Sequence, residues 1–166
     1  MWERNANALL AIILSTILGG ALAIQFFLHE TPCALCMLQR LGMLGVAAGA
    51  LMNVKFGPRK RHYGLCLLAA FLGGFVALRQ ISLHACPQFP KFGEPFWGLS
   101  LYTWSFIAYT CVILYIGLIF LFSETNELQT EHTTPNGWGQ LAFGLVFIVA
   151  VMNIFAAIWV CKLGVC

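Results

Sequence analysis

Charged side chains are scarce in this chain. They make up 9% of its 166 residues, whereas hydrophobic residues make up 60% and the mean hydropathy is +0.84. A typical soluble domain carries about 25% charged residues. This composition therefore excludes a soluble domain. We expect an all-α integral membrane protein in which the whole chain, 1–166, forms a single membrane domain.

Several functional motifs are also missing. The sequence contains no nucleotide-binding loop, no internal repeat and no pair of catalytic carboxylates. Its net charge of +3 comes mostly from one short loop. That charge therefore indicates membrane topology, and we expect no nucleic-acid partner.

Long apolar runs are abundant instead. A helix needs about 20 apolar residues to cross a bilayer, and five stretches reach that length: 9–28, 34–54, 63–83, 97–122 and 140–160. The first has a second interpretation as a cleaved signal peptide, because Arg4 precedes it and it reaches the small-residue triplet 21–23. The apolar run continues to Leu28, which favours a retained span.

The positive residues predict the orientation. The loop between the second and third spans holds Lys55, Arg59, Lys60 and Arg61. Such residues are enriched in cytoplasmic loops, so we expect this loop and the N-terminus in the cytoplasm of a bacterium with an inner membrane. The loops 29–33 and 84–96 and the C-terminus then face the periplasm. The segment 123–139 carries no lysine or arginine and is the weakest point of this topology.

Five of the seven cysteines fall at or near the outer surface: Cys33, Cys36, Cys86, Cys161 and Cys166. Disulfides persist in the periplasm, so these five are candidates for redox chemistry. Cys66 and Cys111 fall within spans, where we interpret them as small packing residues. The pairs Gly19-Gly20 and Gly73-Gly74 are interpreted as sites of close helix packing.

The segment "TPCALCMLQRLG", residues 31–42, has a spacing that suits a redox pair. Pro32 suits the first turn of a helix, so we expect Thr31 to cap the second span and both cysteines to lie in its first turn. The positive end of the helix dipole stabilises a thiolate there. Arg40 lies one turn beyond Cys36. An arginine in a span costs a few kcal/mol, so either a polar partner offsets the cost or Arg40 snorkels to the interface.

Electrons from a membrane dithiol need an acceptor. Met37 stands where covalent haem attachment needs a histidine, and no spacing of histidines with Cys86 favours zinc, so we expect no metal. The natural lipid-soluble acceptor is a quinone. Arg40 would hydrogen-bond a quinone carbonyl and stabilise the Cys36 thiolate.

These features resemble those of a known family. Residues 8–122 resemble the disulfide bond formation protein B (DsbB) family. The resemblance rests on Cys33-Ala34-Leu35-Cys36 followed by Arg40, on the basic loop, on Arg79-Gln80 and on an outward loop with a cysteine. The resemblance implies a four-helix transmembrane bundle, to which this chain adds a probable fifth helix. It further implies an enzyme that reoxidises a periplasmic, DsbA-like thioredoxin-fold oxidase and passes the electrons to ubiquinone or menaquinone.

The resemblance also implies roles for individual residues. Cys33 and Cys36 would be the quinone-coupled pair, with Cys36 adjacent to the quinone ring and Arg40 as its partner. His84 is a further candidate for the quinone site. Arg79 and Gln80 either support the end of the third span or, in the case of Arg79, snorkel.

The chain departs from the family's pattern in its second cysteine pair. The family usually carries that pair in one long periplasmic loop, whereas here the loop 84–96 holds Cys86 alone and a fifth span ends in a tail with Cys161 and Cys166. Cys86 pairs with one of the tail cysteines, which we favour, or the tail cysteines pair locally and Cys86 exchanges disulfides alone. In a third interpretation the tail cysteines are incidental. Five is an odd number, so one outward cysteine is free, transient or bound to another protein.

The loop after Cys86 is rich in proline, glycine and aromatic residues. Phe89 and Phe92 would offer a docking surface for the partner oxidase, although an aromatic belt at the membrane interface explains the same composition. We predict a dithiol:quinone oxidoreductase that supports disulfide bond formation. Two competing hypotheses are a reductive or dedicated-substrate membrane dithiol enzyme, and a non-enzymatic membrane module with structural disulfides.

Overall fold

The computed structural model describes residues 2–27, 33–85, 97–122 and 137–161. These residues form five helices: α1 (Trp2–Phe27), α2 (Ala34–Phe56), α3 (Lys60–Ala85), α4 (Leu101–Phe122) and α5 (Gly137–Cys161). All five are long and apolar enough to cross a membrane, judged by length and composition. The prediction of an all-α membrane protein with a fifth helix is confirmed.

Two helix boundaries have a clear local cause. Trp97 and Gly98 have φ angles of 52° and 77°, and a right-handed helix cannot continue through that region of backbone conformation. The fourth helix therefore begins at Leu101, four residues after the start of the predicted span. Gly57, with φ 83°, caps the end of α2 and allows the short turn into α3.

The central helix of the bundle is α2. It packs against α1, α3 and α5 and also touches α4, while α1 packs against α5 and α3 packs against α4. The outer surface of the described helices is apolar, with large exposed side chains such as Phe71, Leu121 and Phe147. Lipid is the environment in which such a surface is stable.

The fifth helix adds a narrow apolar stripe to the bundle. Its buried apolar side chains are those of Ala142, Val146, Val149 and Ala156, which recur at the spacing of one helix face. Because α5 contacts only α1 and α2 among the described helices, this stripe covers those two and leaves α3 and α4 uncovered.

Small residues let α2 and α3 approach closely. A Cβ atom at Gly49 would lie 2.5 Å from the Sγ of Cys66, and a Cβ at Gly73 would enter the ring of Tyr109 on α4. The predicted packing role of Gly73 is therefore confirmed. The same prediction is wrong for Gly19 and Gly20, because a Cβ at either position has no neighbour within 4 Å among the described residues.

Replacing Gly73 with alanine is expected to lower the free energy of unfolding by about 1–3 kcal/mol, because the methyl group would displace the packed Tyr109 ring. Thermal unfolding in detergent measures this effect. Gly19→Ala is the matched control, since its Cβ would contact none of the residues that the structure describes and alanine favours a helix. Equal melting temperatures for the two variants would contradict this account of the packing.

A buried polar network joins three helices at one end of the bundle, which we call the basic end because the cations of the α2–α3 turn lie there. The Nδ2 of Asn7 donates to the hydroxyl of Tyr63 at 2.8 Å, and the Nδ2 of Asn53 donates to the Oδ1 of Asn7 at 3.1 Å. The Nδ1 of His62 lies 3.1 Å from the Oδ1 of Asn53. Since the network uses the start of α1, the end of α2 and the start of α3, Cys33 lies at the opposite end, the cysteine end.

Candidate redox site

The two cysteines of the sequence motif meet at the start of α2. Their Sγ atoms are 2.7 Å apart, and the backbone N–H of Cys36 donates to the Sγ of Cys33 at 3.3 Å. Cys33 is therefore the N-cap of α2. The prediction that Thr31 caps this helix is wrong, because a sulfur three residues before Cys36 already accepts the bond that a cap provides. The pair is close enough to form a disulfide after a small movement, since that bond needs about 2.05 Å.

The amide of Gln80, near the end of α3, contacts both sulfur atoms. Its Nε2 donates to the Sγ of Cys33 at 3.4 Å and to the Sγ of Cys36 at 3.3 Å. Its Oε1 accepts from the Nε2 of Gln39 at 2.6 Å and lies 3.7 Å from the Sγ of Cys36, which can donate to it. Gln80 is fully buried and Gln39 is almost so. Two of the few polar side chains in the spans are thus engaged at the cysteine pair.

A hydrogen bond from α4 holds the backbone of Gln39. The hydroxyl of Tyr109 donates to the carbonyl oxygen of Gln39, and the Tyr109 ring lies against Gly73 of α3. Since Tyr109 is 1% exposed, this contact is dry. It connects α4 to the cysteine pair through Gln39 and Gln80.

Arg40 is partly buried and reaches towards α1. Its Nη1 donates to the Oε1 of Gln25 at 2.5 Å, and its Nη2 donates to the backbone carbonyl of Ala21 at 3.3 Å. The guanidinium also interacts electrostatically with the sulfur atoms of Cys36 and Cys33. These polar acceptors offset part of the cost of placing a cation in a span.

His84 lies one turn beyond Gln80 on α3. Its Nδ1 is 2.9 Å from the carbonyl oxygen of Gln80, and its ring stacks on Tyr102 of α4 with 5.1 Å between centroids. If Nδ1 carries the hydrogen and donates to this carbonyl, Nε2 is the hydrogen-bond acceptor of the ring. Arg79, next to Gln80 in the sequence, points outward and is exposed.

The electrostatics of the site favour a thiolate at Cys33. The pKa of the Cys33 thiol is lowered to about 6. The hydrogen bond with the Cys36 side chain is the largest cause, and the N–H groups of Cys36, Leu35 and Gln80 add to it, whereas burial acts in the opposite direction. Near neutral pH the reduced pair therefore carries its negative charge at the helix N-terminus, where the helix dipole also favours it.

The family model of the disulfide bond formation protein DsbB matches residues 3–94, a range that includes the whole cysteine site except Tyr102 and Tyr109. The chain belongs to the DsbB family. It is accordingly a multi-pass membrane protein of a family named for disulfide bond formation.

Individual DsbB relatives match different lengths of the chain. Disulfide bond formation protein B of Chromobacterium violaceum is 40% identical over 97 residues, 55% of this chain and 58% of that protein. Disulfide bond formation protein B 1 of Pseudomonas entomophila is 36% identical over 77 residues, 45% of this chain and 46% of that protein. The chain thus spans about half the length of these two relatives. A third, from Pseudomonas fluorescens, is 27% identical over 150 residues, 70% of this chain and 89% of that protein. No solved structure matches the chain.

Several predicted site residues of this DsbB family member lie outside the described part. Cys86, Cys166 and the side chain of Cys161 are among them, so their pairing stays a prediction, as does the docking role of Phe89 and Phe92. Within the described residues, Cys66 is buried and its Sγ donates to the carbonyl of Val46 at 3.4 Å, as a packing residue would. Cys111 is exposed.

Three residues of the site were not singled out from the sequence: Gln25, Gln39 and Tyr109. The available signal was the cost of a polar amide in a span, which requires a buried partner. Gln25 and Gln39 both interrupt apolar runs, so this cost marks them. Nothing in the sequence indicates that one amide serves the arginine and the other serves the cysteines.

Proposed function

We propose that this protein is a thiol:quinone oxidoreductase of the bacterial inner membrane, in which the Cys33–Cys36 disulfide takes electrons from a periplasmic, DsbA-like oxidase and passes them to ubiquinone or menaquinone. The observation that carries the proposal is the paired sulfur atoms, 2.7 Å apart at one end of an apolar bundle and held by a buried amide. A purely structural cysteine pair has no need of polar partners inside a membrane.

The proposed reaction has two balanced halves. In the first, the partner's dithiol loses two electrons and two protons and becomes a disulfide, while the Cys33–Cys36 disulfide gains them and becomes a dithiol. In the second, the Cys33–Cys36 dithiol gives up two electrons and two protons and its disulfide forms again. A bound quinone supplies the acceptor for those electrons and protons.

The donor set at the cysteine end fits a quinone carbonyl. In the described part of the chain, Gln25 and Ala21 engage two of the five N–H groups of Arg40, so further donors remain for a ligand oxygen. Cys36 lies one turn from Arg40 along the same helix. The Nε2 of His84 supports the transfer of a proton at this end, because its Nδ1 is engaged by the carbonyl of Gln80.

The charge distribution supports a periplasmic position for the cysteine pair. The four cations of the loop region lie at the basic end, opposite Cys33, and cytoplasmic loops are the ones enriched in lysine and arginine. In this orientation the N-terminus is cytoplasmic and the C-terminal tail is periplasmic, so a thioredoxin-fold oxidase can reach the sulfur atoms.

The route from the partner to the pair would use the remaining outward cysteines. Helix α3 ends at Ala85, the residue before Cys86, at the cysteine end. Cys86 would meet Cys161 or Cys166, or it would exchange with the partner alone while the tail cysteines pair locally. Mass-spectrometric mapping of the disulfides under non-reducing conditions distinguishes these arrangements.

A quinone-reduction assay tests the proposal. The oxidised protein is reconstituted in liposomes with decylubiquinone and supplied with a reduced thioredoxin-fold dithiol oxidase. We expect the quinone absorbance to fall while the partner becomes oxidised, at a rate that depends on both substrates. If the partner stays reduced and the quinone stays oxidised, the protein is a non-enzymatic module instead.

The same liposomes distinguish the proposed oxidase from two alternatives: an enzyme that reduces its partner, and an enzyme that acts on a single dedicated partner. A reductive enzyme would oxidise the hydroquinone and reduce the partner's disulfide, so the assay is also run from that side. A dedicated enzyme would oxidise one thioredoxin-fold partner and leave others reduced. We expect net flow towards the quinone.

A further inference from the structure

Gln80 occupies an unusual position for an amide in a membrane span. It is 0% exposed, and its side-chain amide contacts the two sulfur atoms and Gln39. Buried polar groups are stable only when they are hydrogen-bonded. An apolar side chain of similar size would avoid the cost altogether, so the amide is retained for what it does to the sulfur atoms.

We infer that Gln80 is the donor from a neighbouring helix that helps to stabilise the reduced Cys33–Cys36 pair as a thiolate and thereby makes its disulfide a stronger oxidant, and that Gln39 is the residue that positions Gln80. The inference rests on the proposed role of Cys33–Cys36 as the redox pair. In this inference Gln80 contacts the reacting sulfur atoms directly. Gln39 does not act on the sulfur atoms itself and acts only by holding Gln80.

The direction of the effect follows from charge. An N–H group stabilises a negatively charged sulfur more than a neutral one. The disulfide is neutral, whereas the reduced pair carries a thiolate, so the two contacts from Nε2 favour the reduced state. A pair whose reduced state is stabilised takes electrons from the partner more readily.

The position of Gln39 explains why the amide points its nitrogen at the sulfur atoms. The Nε2 of Gln39 donates a 2.6 Å hydrogen bond to the Oε1 of Gln80 and holds that oxygen towards α2. The Nε2 of Gln80 therefore faces the cysteines. The hydroxyl of Tyr109 holds the backbone of Gln39 in turn. Three helices therefore cooperate to orient one amide.

The first test measures the thiolate directly. In the reduced wild-type protein, alkylation of Cys33 by iodoacetamide, followed by mass spectrometry, should increase with pH around a midpoint near 6, since the thiolate forms above the pKa and is the reactive species. In Gln80→Leu we expect this midpoint to rise by about half a pH unit or more, because one of several hydrogen bonds to the thiolate is lost.

The second test measures the redox equilibrium with glutathione. We expect the equilibrium constant for reduction of the Cys33–Cys36 disulfide to fall about tenfold or more in Gln80→Leu. Gln80→Glu keeps the acceptor for Gln39 but loses the N–H donors, so it should show the same direction of change. An exposed glutamine at the start of α5 offers the matched control, Gln140→Leu, which should change neither readout.

A double-mutant cycle tests the positioning role. Gln39→Leu alone should shift both readouts in the same direction as Gln80→Leu, and it should add little in the Gln80→Leu background. Full additivity would overturn the role of Gln39. Unchanged alkylation and glutathione constants in both folded Gln80 variants would overturn the inference as a whole. Neither readout uses quinone turnover, so failure of the proposed function in the liposome assay is a separate result.

Discussion

Replacing Cys36 with serine is expected to abolish quinone reduction, with a loss of at least about a thousandfold, and Cys33→Ser should do the same. A serine hydroxyl forms no disulfide, so neither half-reaction can proceed through a pair that lacks one sulfur. The 2.7 Å contact between the two Sγ atoms makes them one functional unit. The decylubiquinone assay with the reduced partner measures the effect.

The control for this prediction is Cys111→Ser. Cys111 is exposed on α4 and has no place in the proposed site, so its variant should turn over at the wild-type rate. Because α2 is central to the bundle, folding of each variant is checked by thermal unfolding. A folded Cys36→Ser protein with full turnover would disprove the proposed scheme.

Replacing Arg40 with methionine is expected to raise the apparent KM for the quinone by about 10- to 100-fold, since a charge-assisted hydrogen bond is lost. The structure supports this size of effect because the guanidinium is partly buried, where such a bond is less screened by solvent. Arg40→Lys keeps the charge but not the planar fork, so an intermediate increase is expected. Initial rates over a range of decylubiquinone concentrations provide the measurement.

Arg79→Met is the matched control for this second prediction. Arg79 is exposed on α3, and its side chain is outside the described site, so the same substitution should leave the quinone KM unchanged. Removal of Arg40 leaves Gln25 without its donor, and Gln25→Leu combined with Arg40→Met removes that complication. Should both Arg40 variants keep the wild-type KM, the arginine would serve only to join α1 to α2.

The spans and their number could be predicted from the sequence because hydropathy is a property of consecutive residues. The exact ends of the helices could not be predicted as well from the sequence. The left-handed backbone at Trp97 and Gly98 delays the start of α4, and Cys33 replaces Thr31 as the cap of α2. Both depend on backbone angles and hydrogen bonds that composition does not specify.

The candidate site likewise has one part that the sequence predicts and one part that it does not. Cys33, Cys36 and Arg40 lie within two helical turns, so a local pattern was sufficient to propose them together. Gln80 approaches the pair from another helix, 44 residues along the chain from Cys36. The sequence alone does not distinguish Gln80 from its neighbour Arg79 as a site residue. Only the rotation of α3 about its axis decides that the glutamine faces the sulfur atoms and the arginine faces outward.

The sequence by itself determined the class of protein, the five spans and the short segment in which two thiols and a cation occur together, because these follow from hydrophobicity and from spacing within one helix. Tertiary structure alone decided which polar side chains serve which partner: Gln25 for Arg40, and Gln80 with Gln39 for the cysteines. The physical reason is that a buried amide must find its partner on a neighbouring helix, and the direction in which it points depends on how closely the helices pack. In this bundle the glycines of α2 and α3 set that distance.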